Sequence, residues 1–232
     1  MLVICTWWWG TKYDVSYVRK LAAGVHRNLK QPCRFLVMTE RERKLDPLDD
    51  IEVHAIKDPG LCKMKGCLAR MRMFDPGWQK NRGIDDRLVC LDLDLVITGP
   101  LDPLFDRPEP FVILQGVNAV NPCPYNGSVM MLRAGAHPEA WTDMTVAALA
   151  TTPKHEFVDD QGWLAHRVPG AAAWTPQRDG VYGFKKPGWP EGDNIPNNAR
   201  IVAFFGSRDP SQFTKLGWIH DNWTMGEERA AA

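Results

Sequence analysis

Short apolar runs alternate with amphipathic stretches through the first hundred residues of the chain. The short runs are typical of strands that are buried on both faces of a sheet. The longer stretches repeat their apolar positions at helical spacing, and the first of them follows Asp14, a favourable N-cap residue. We predict strands over residues 2–5, 34–38, 52–56 and 88–91, helices over 15–28 and 62–74, and a loop or short helix over 41–50.

The second half of the chain has more Pro and Gly and shorter apolar runs. We predict strands over residues 111–114, 129–132 and 201–205, helices over 138–150 and from near Asp159 through Trp163, and a long loop over 178–198. Strands that alternate with helices in this order predict an α/β fold with a mostly parallel central sheet flanked by helices.

Composition and charge narrow the class of protein. Lys plus Arg and Asp plus Glu are equal at 28 each, which argues against a protein that covers nucleic acid. No basic region precedes the first apolar run, and no apolar stretch reaches the roughly 18 residues of a membrane span. We therefore expect a soluble, cytoplasmic protein. The six cysteines are irregularly spaced, which favours free, mostly buried thiols over disulfides or a zinc site.

The most informative chemistry follows the predicted strand over residues 88–91. Asp92 and Asp94 are separated by one leucine, so in extended backbone both carboxylates point to the same side. Ligands of open α/β sheets bind at the carboxyl ends of strands, and hard divalent cations prefer carboxylate and phosphate oxygens. A lone pair of this kind is more often a turn, but the buried strand before it and the apolar residues 95–101 after it favour a metal–diphosphate site.

Several segments in a fixed order resemble the GT-A glycosyltransferases, and most closely the glycogenin-like glycosyltransferase family 8. They are the first strand and loop over residues 3–13, the carboxylate segment 88–104, residues 126–132 with Gly127 and Ser128 exchanged, Asp159 to Leu164, and the late segment 201–210. The resemblance implies one GT-A domain over residues 1–232, with a nucleotide-sugar-binding half over roughly residues 1–100 and an acceptor-binding half over roughly 101–232.

The resemblance also implies an activity and a set of site residues. It implies transfer of a sugar from a nucleotide-diphosphate donor to a carbohydrate or other hydroxyl acceptor, with Mn²⁺ or Mg²⁺ as cofactor. Asp92 would contact the ribose and the metal, and Asp94 the metal. Asn126 and Asp160 would position the donor sugar or the acceptor, and Gln161 would lie near the reacting carbon. Of the adjacent pair Asp159 and Asp160, one is expected to cap a helix and the other to reach the sugar.

Further donor contacts are expected from three parts of the chain. Thr6 lies in the first loop, where Trp7 and Tyr13 either stack on the base or belong to the core. Arg70 either meets the donor phosphates or lies on a solvated helix face, while the late residues Gly206 and Arg208 lie in the loop that is expected to close over the diphosphate. His155 and Glu156 precede Asp159 and are possible neighbours of the acceptor.

One departure from the family concerns the metal. The family's late motif supplies a histidine as third metal ligand, and residues 203–210 contain none. The cation is therefore bound by fewer protein ligands, or His220 folds back to replace the missing one, or the enzyme is weakened. Arg208 would replace the family's lysine on the phosphates.

Two other functions fit the same pattern. A nucleotidyltransferase that forms sugar nucleotides would need a Gly-rich, basic loop after the first strand, whereas residues 6–12 contain one Gly and one Lys. A non-catalytic relative that only holds a nucleotide or glycan would explain the missing histidine.

Overall fold

The structure is a computed structural model that describes residues 1–40, 50–118, 123–154 and 158–225. The segment predicted as a loop or short helix over 41–50 lies, except for Asp50, outside the described residues. His155 and Glu156 also lie outside them.

A seven-stranded sheet forms the centre of the molecule. Its strands are β1 (Leu2–Trp8), β2 (Cys33–Thr39), β3 (Ile51–Ala55), β4 (Arg87–Leu91), β6 (Phe111–Gln115), β7 (Tyr125–Arg133) and β8 (Ala172–Trp174), in the order β3-β2-β1-β4-β7-β6-β8. Only β7 runs against its two neighbours, and the other paired strands of this sheet are parallel. The predicted α/β fold with a mostly parallel sheet is confirmed.

A second sheet of three short strands packs beside the carboxyl end of β4. It consists of β5 (Leu95–Ile97), β9 (Val181–Gly183) and β10 (Ile201–Ala203), in the order β5-β10-β9. The sequence predicts strand β10, over 201–205, but neither β5 nor β9, and β9 lies inside the stretch predicted as a loop over 178–198. Strands β5 and β9 have three residues each, which is too short for an alternation pattern to show.

Helices cover both faces of the central sheet. They are α1 (Val15–Asn28), α2 (Pro59–Lys63), α3 (Pro76–Lys80), α4 (Asp102–Phe105), α5 (Glu139–Thr142), α6 (Val146–Thr151), α7 (Asp160–Arg167), α8 (Pro176–Asp179) and α9 (Gly217–Asn222), with 3₁₀ helices at Leu68–Phe74 and Pro210–Phe213. On one face α1 packs its apolar side beneath β1 and β2. On the other face lie the 3₁₀ helix Leu68–Phe74, α5 and α7.

Two predicted helices are interrupted in the structure. The helix predicted over 138–150 is two helices, because Thr145 has extended backbone and its side chain accepts a hydrogen bond from Ala148 N, which starts α6. The helix predicted over 62–74 breaks after α2, and Cys67 has left-handed backbone (φ 58°) before the 3₁₀ helix begins. Helix α1 agrees with its prediction, and Asp14 caps it by accepting from Ser16 N at 2.7 Å.

The helices and the cysteines bear on the expectations about membrane spans and disulfides. None of the helices in the described ranges combines the length and apolar character that a bilayer crossing requires. All six cysteines are free thiols, as expected, but only Cys5 and Cys90 are buried. Cys67 is exposed, and Cys33, Cys62 and Cys123 are half-buried.

Candidate functional site

Two adjoining cavities open at the carboxyl ends of β1 and β4. The first, which we call the Tyr13 cavity, has a volume of about 330 Å³ and is lined by Trp7, Trp9, Lys12, Tyr13 and Asp94. The second, the Gln161 cavity, has a volume of about 490 Å³ and is lined by Asn118, Asn126, Asp159, Asp160, Gln161 and Lys186. Both cavities share a wall formed by Cys67, Arg70, Asp92, Phe205 and Gly206. The site is therefore one cleft with a charged centre between two chambers.

The two carboxylates after β4 both face the Tyr13 cavity, as their alternation in the sequence predicts. Asp92 accepts a hydrogen bond from Arg70 Nη1 at 2.5 Å. Asp94 accepts one from the Tyr13 hydroxyl at 2.6 Å, and its Oδ2 lies 3.7 Å from Lys12 Nζ. Burial, followed by the negative charge of Asp92, raises the pKa of Asp94 to about 7. The pair thus carries repulsion that a cation in the cavity would relieve.

Arg70 joins the carboxylate pair to the neighbouring chamber. Its side chain is buried, with Nη1 on Asp92 and Nε on the Oδ2 atom of Asp160. Asp160 is only 2% exposed, and burial raises its pKa to about 6 against the lowering effect of Arg70. A Cβ atom at Gly127 would collide with the Arg70 guanidinium, so this position of β7 accommodates only glycine without a shift. Glycine at position 127 thereby leaves room for the Arg70 guanidinium.

The residues at the start of α7 are fixed by short-range hydrogen bonds. Asp159 caps the helix by accepting from Gly162 N at 2.7 Å. Gln161 Nε2 donates to the Oδ2 atom of Asp159 at 2.8 Å, and Gln161 Oε1 accepts from Gly127 N at 3.3 Å. One aspartate of the pair therefore caps the helix, as predicted, while Asp160 lines the chamber with its carboxylate held by Arg70.

Asn126 lies on the wall of the Gln161 cavity that β7 provides. Its Oδ1 accepts from Ser128 N at 3.0 Å, and its Nδ2 donates to Asn118 Oδ1 at 3.3 Å. The amide is 3% exposed and is oriented by these two contacts. It therefore presents a fixed polar edge to the chamber.

The structure corrects the prediction for Thr6. Strand β1 extends to Trp8, three residues beyond the predicted end, so Thr6 lies within the strand rather than in a loop. Its side chain is fully buried and its hydroxyl donates to Leu91 O at 2.8 Å, which ties β1 to β4. Thr6 lines neither cavity. Trp7 is also in the strand, but it stacks on Trp78 with centroids 6.0 Å apart and still reaches the Tyr13 cavity.

The structure also corrects the prediction for His220. This residue is exposed on α9, where its Nδ1 lies 3.2 Å from Asp221 Oδ1, and it lines neither cavity. Within the ranges that the structure describes, no group of three or more His, Cys, Asp and Glu residues is arranged to hold a metal ion. The predicted ligand set of Asp92, Asp94 and His220 is therefore not assembled, because α9 packs its histidine toward solvent.

The late segment reaches the site through Phe205 and Gly206. Gly206 has a left-handed backbone (φ 78°) and lines both cavities, in agreement with its predicted place in the cleft. Arg208 is half-buried and does not line either cavity, but its charge acts on Lys186. Farther along, Asp209 accepts a 2.6 Å hydrogen bond from the Tyr17 hydroxyl, which anchors the segment to α1.

Several cleft residues were not identified from the sequence. Lys12, Trp9 and Cys67 line the Tyr13 cavity, and Lys186 and Asn118 line the Gln161 cavity. Lys186 follows the short strand β9, in the stretch predicted as a long loop. Nothing in its sequence neighbourhood distinguishes it from the adjacent Lys185, because only the tertiary fold brings it to the cleft.

Comparison with solved structures places this architecture among known folds. The chain matches a crystal structure of an active-site glutamine-to-glutamate mutant of LgtC with a TM-score of 0.64 and 12% identity, covering 99% of this chain and 95% of that one. It also matches the galactosyltransferase LgtC in complex with donor and acceptor sugar analogs, with a TM-score of 0.61, 12% identity and 99% of each chain covered. No protein-family model matches the sequence, and no curated protein matches it either. The likeness over the whole chain shows that the protein has the GT-A fold.

Proposed function

We propose that this protein is a glycosyltransferase that moves a sugar from a nucleoside-diphosphate donor to a hydroxyl group of an acceptor. The observation that carries the proposal is the pair of cavities that share the Arg70–Asp92 wall at the carboxyl edge of the sheet. A transferase holds an extended donor and an acceptor at one reacting centre, and the two adjoining chambers can hold the nucleoside on one side of the shared wall and the transferred sugar with the acceptor on the other. The fold supports this proposal, since one structure of that fold holds donor and acceptor sugar analogs.

The lining of each cavity suggests how the donor lies. The Tyr13 cavity contains two tryptophans and a tyrosine, whose rings suit a nucleoside base. The Gln161 cavity contains carboxylate and amide groups, which suit the hydroxyl groups of sugars. We place the nucleoside in the Tyr13 cavity, the diphosphate at the shared wall, and the transferred sugar and the acceptor in the Gln161 cavity.

The carboxylates of Asp92 and Asp94 are suited to bind Mn²⁺ or Mg²⁺. Asp92 and Asp94 supply hard oxygen ligands, and burial, followed by the negative charge of Asp92 that a cation would offset, raises the pKa of Asp94. Magnesium is commonly held by one or two carboxylates together with substrate phosphates and water, so two protein ligands suffice. When bound, Mn²⁺ or Mg²⁺ would neutralise charge that develops on the departing diphosphate.

The remaining chemistry falls to residues of the Gln161 cavity. The bond from the anomeric carbon to the diphosphate oxygen breaks, a bond forms from that carbon to the acceptor oxygen, and the acceptor proton passes to an oxygen of the departing diphosphate. Gln161 is held at both ends of its amide, so Oε1 keeps a fixed position near the positive character of that carbon. The Asp160 carboxylate, held by Arg70, adds negative charge on the same side of the chamber.

A binding and transfer experiment tests the proposal. Thermal shift with uridine, guanosine, cytidine and adenosine diphosphates and their sugars, with and without Mn²⁺, should raise the melting temperature by several degrees for one nucleotide. The matching sugar nucleotide should then release nucleoside diphosphate when acceptor sugars are added. Asp94→Ala should abolish release while far-ultraviolet circular dichroism stays unchanged. Full transfer by this variant would contradict the proposal.

The same experiment separates the two alternative functions. Binding of a nucleoside diphosphate without any transfer or donor hydrolysis would favour a non-catalytic relative. Release of pyrophosphate from a nucleoside triphosphate and a sugar phosphate would instead favour a nucleotidyltransferase.

A further inference from the structure

We propose that Lys186 binds the terminal phosphate of the donor diphosphate and offsets part of its charge as it leaves. This inference deepens the proposed function and depends on it. It assigns a role to a residue that no motif in the sequence identifies.

The Lys186 side chain lies beside the wall that the two cavities share. Lys186 lines the Gln161 cavity, and its Nζ lies 4.8 Å from the centroid of the Phe205 ring. Phe205 belongs to the wall shared by the two cavities, which is the proposed location of the diphosphate. The preceding residue, Phe204, donates its backbone N–H to Asp94 O at 3.0 Å. The ammonium group therefore lies against a wall whose backbone is hydrogen-bonded to the backbone of Asp94.

The stem of Lys186 packs in the space next to Gly183. A Cβ atom at Gly183, the last residue of β9, would lie 2.9 Å from Lys186 Cγ and 2.9 Å from two ring carbons of Phe205. Real Cβ atoms essentially never approach so closely, so the lysine stem and the ring fill the space that glycine leaves. The stem is thereby directed along the ring toward the cavity.

Lys186 differs from the adjacent Lys185 in the charges that surround it. Lys185 Nζ lies 2.5 Å from Asp193 Oδ1, so its charge is compensated within the protein. Lys186 forms no ion pair with a described carboxylate, and its charged neighbour is Arg208. Burial, and then the charge of Arg208, lower the pKa of Lys186. A cation on the cavity wall that has no described carboxylate partner is suited to bind an anion.

The other cation at the shared wall, Arg70, is already paired with carboxylates. Arg70 is already shared between Asp92 and Asp160, and the described residues offer no third protein ligand for a metal. A diphosphate at the shared wall carries several negative charges, and Lys186 is the lysine on the sugar side of that wall. Its ammonium group therefore complements the phosphate farther from the nucleoside.

Isothermal titration calorimetry on the full chain tests this assignment. The probes are the nucleoside diphosphate that binds the unmodified protein most tightly and the monophosphate of the same base, each in Mn²⁺ and in EDTA. Lys186→Met should weaken diphosphate binding about tenfold or more, the effect of losing one charge-assisted hydrogen bond, with the larger loss in EDTA. Monophosphate binding should be unchanged, and Lys186→Arg should keep most of the diphosphate affinity. Lys185→Met, the matched control, should bind both probes like the unmodified protein.

Three outcomes would overturn the assignment. If Lys186→Met binds the diphosphate as tightly as the unmodified protein, Lys186 does not contact the terminal phosphate, and an anionic acceptor becomes the partner to examine. If it weakens both probes equally, the residue acts through the shape of the cleft. If the unmodified protein binds no nucleoside diphosphate, the proposed function itself fails, which the other two results would not show. Lys186→Gln replaces Lys186→Met if the methionine variant does not fold.

Discussion

At the scale of single residues, Arg70 is the centre of the site. A buried guanidinium is tolerated only when its charge is compensated, and Arg70 has a carboxylate on each of two nitrogens. These carboxylates come from the end of β4 and the start of α7, which are far apart in the sequence. One side chain thus sets the relative position of the two segments that the chemistry needs.

Removal of the Arg70 guanidinium is expected to lower the free energy of unfolding substantially. Arg70→Met leaves Asp160 buried without its partner, and loss of one member of a buried pair costs about 3–5 kcal/mol. Urea unfolding followed by tryptophan fluorescence measures the free energy of unfolding. Arg72→Met is the control, because Arg72 is half-buried and its pairs with Asp58 and Asp75 are 3.7 and 3.5 Å long. Equal losses in the two variants would contradict the central role of Arg70.

Asp94 should give the protein a characteristic pH dependence. Its pKa in the fold is about 7, above its ordinary value of 3.8, so the folded state favours the neutral acid. That stabilisation is complete at pH values below about 4 and is lost as the pH rises through 7. Asp94→Asn cannot ionise and should therefore gain in melting temperature relative to the unmodified protein between pH 5 and pH 8. Thermal unfolding in EDTA measures the difference, and a relative loss across this range would refute the explanation.

At the scale of elements, uninterrupted apolar patterns are predicted well, whereas the breaks inside the helices predicted over 62–74 and 138–150 are not. Helix α1 and strand β4 have long or uninterrupted patterns, and both lie where the sequence places them. Strand β1 extends to Trp8, because the polar Thr6 is buried and donates a hydrogen bond to Leu91 O. The sequence around Thr6 does not reveal this contact. The three-residue strand β9 gives no periodic signal, so both it and the neighbouring Lys186 escape prediction.

The corrected role of Thr6 gives a prediction about β1. Thr6→Val removes a buried hydroxyl that donates between neighbouring strands and should cost about 1 kcal/mol or slightly more of unfolding free energy. Nucleoside diphosphate affinity by calorimetry should stay within a factor of two, because Thr6 lines neither cavity. A tenfold loss of affinity at unchanged stability would restore Thr6 as a donor-binding residue.

At the scale of the whole molecule, the site could be located from the sequence but not completed. The rule that ligands bind at the carboxyl edge of the sheet places Asp92, Asp94 and the first loop in one cleft, and the structure has them there. The second chamber depends on how β7, α7 and the small sheet come together. Those are tertiary contacts between distant segments, and a local pattern carries no record of them.

The small sheet has a consequence for how relatives of this chain would vary. Strand β10 pairs with β5 on one side and β9 on the other. These pairings restrict movement of the backbone near Phe205 away from Gly183. A larger residue at position 183 would require a smaller ring at 205 and a shorter side chain at 186. Natural variants should therefore exchange these three positions as a correlated set, and aligned homologues in which they drift independently would argue against this packing.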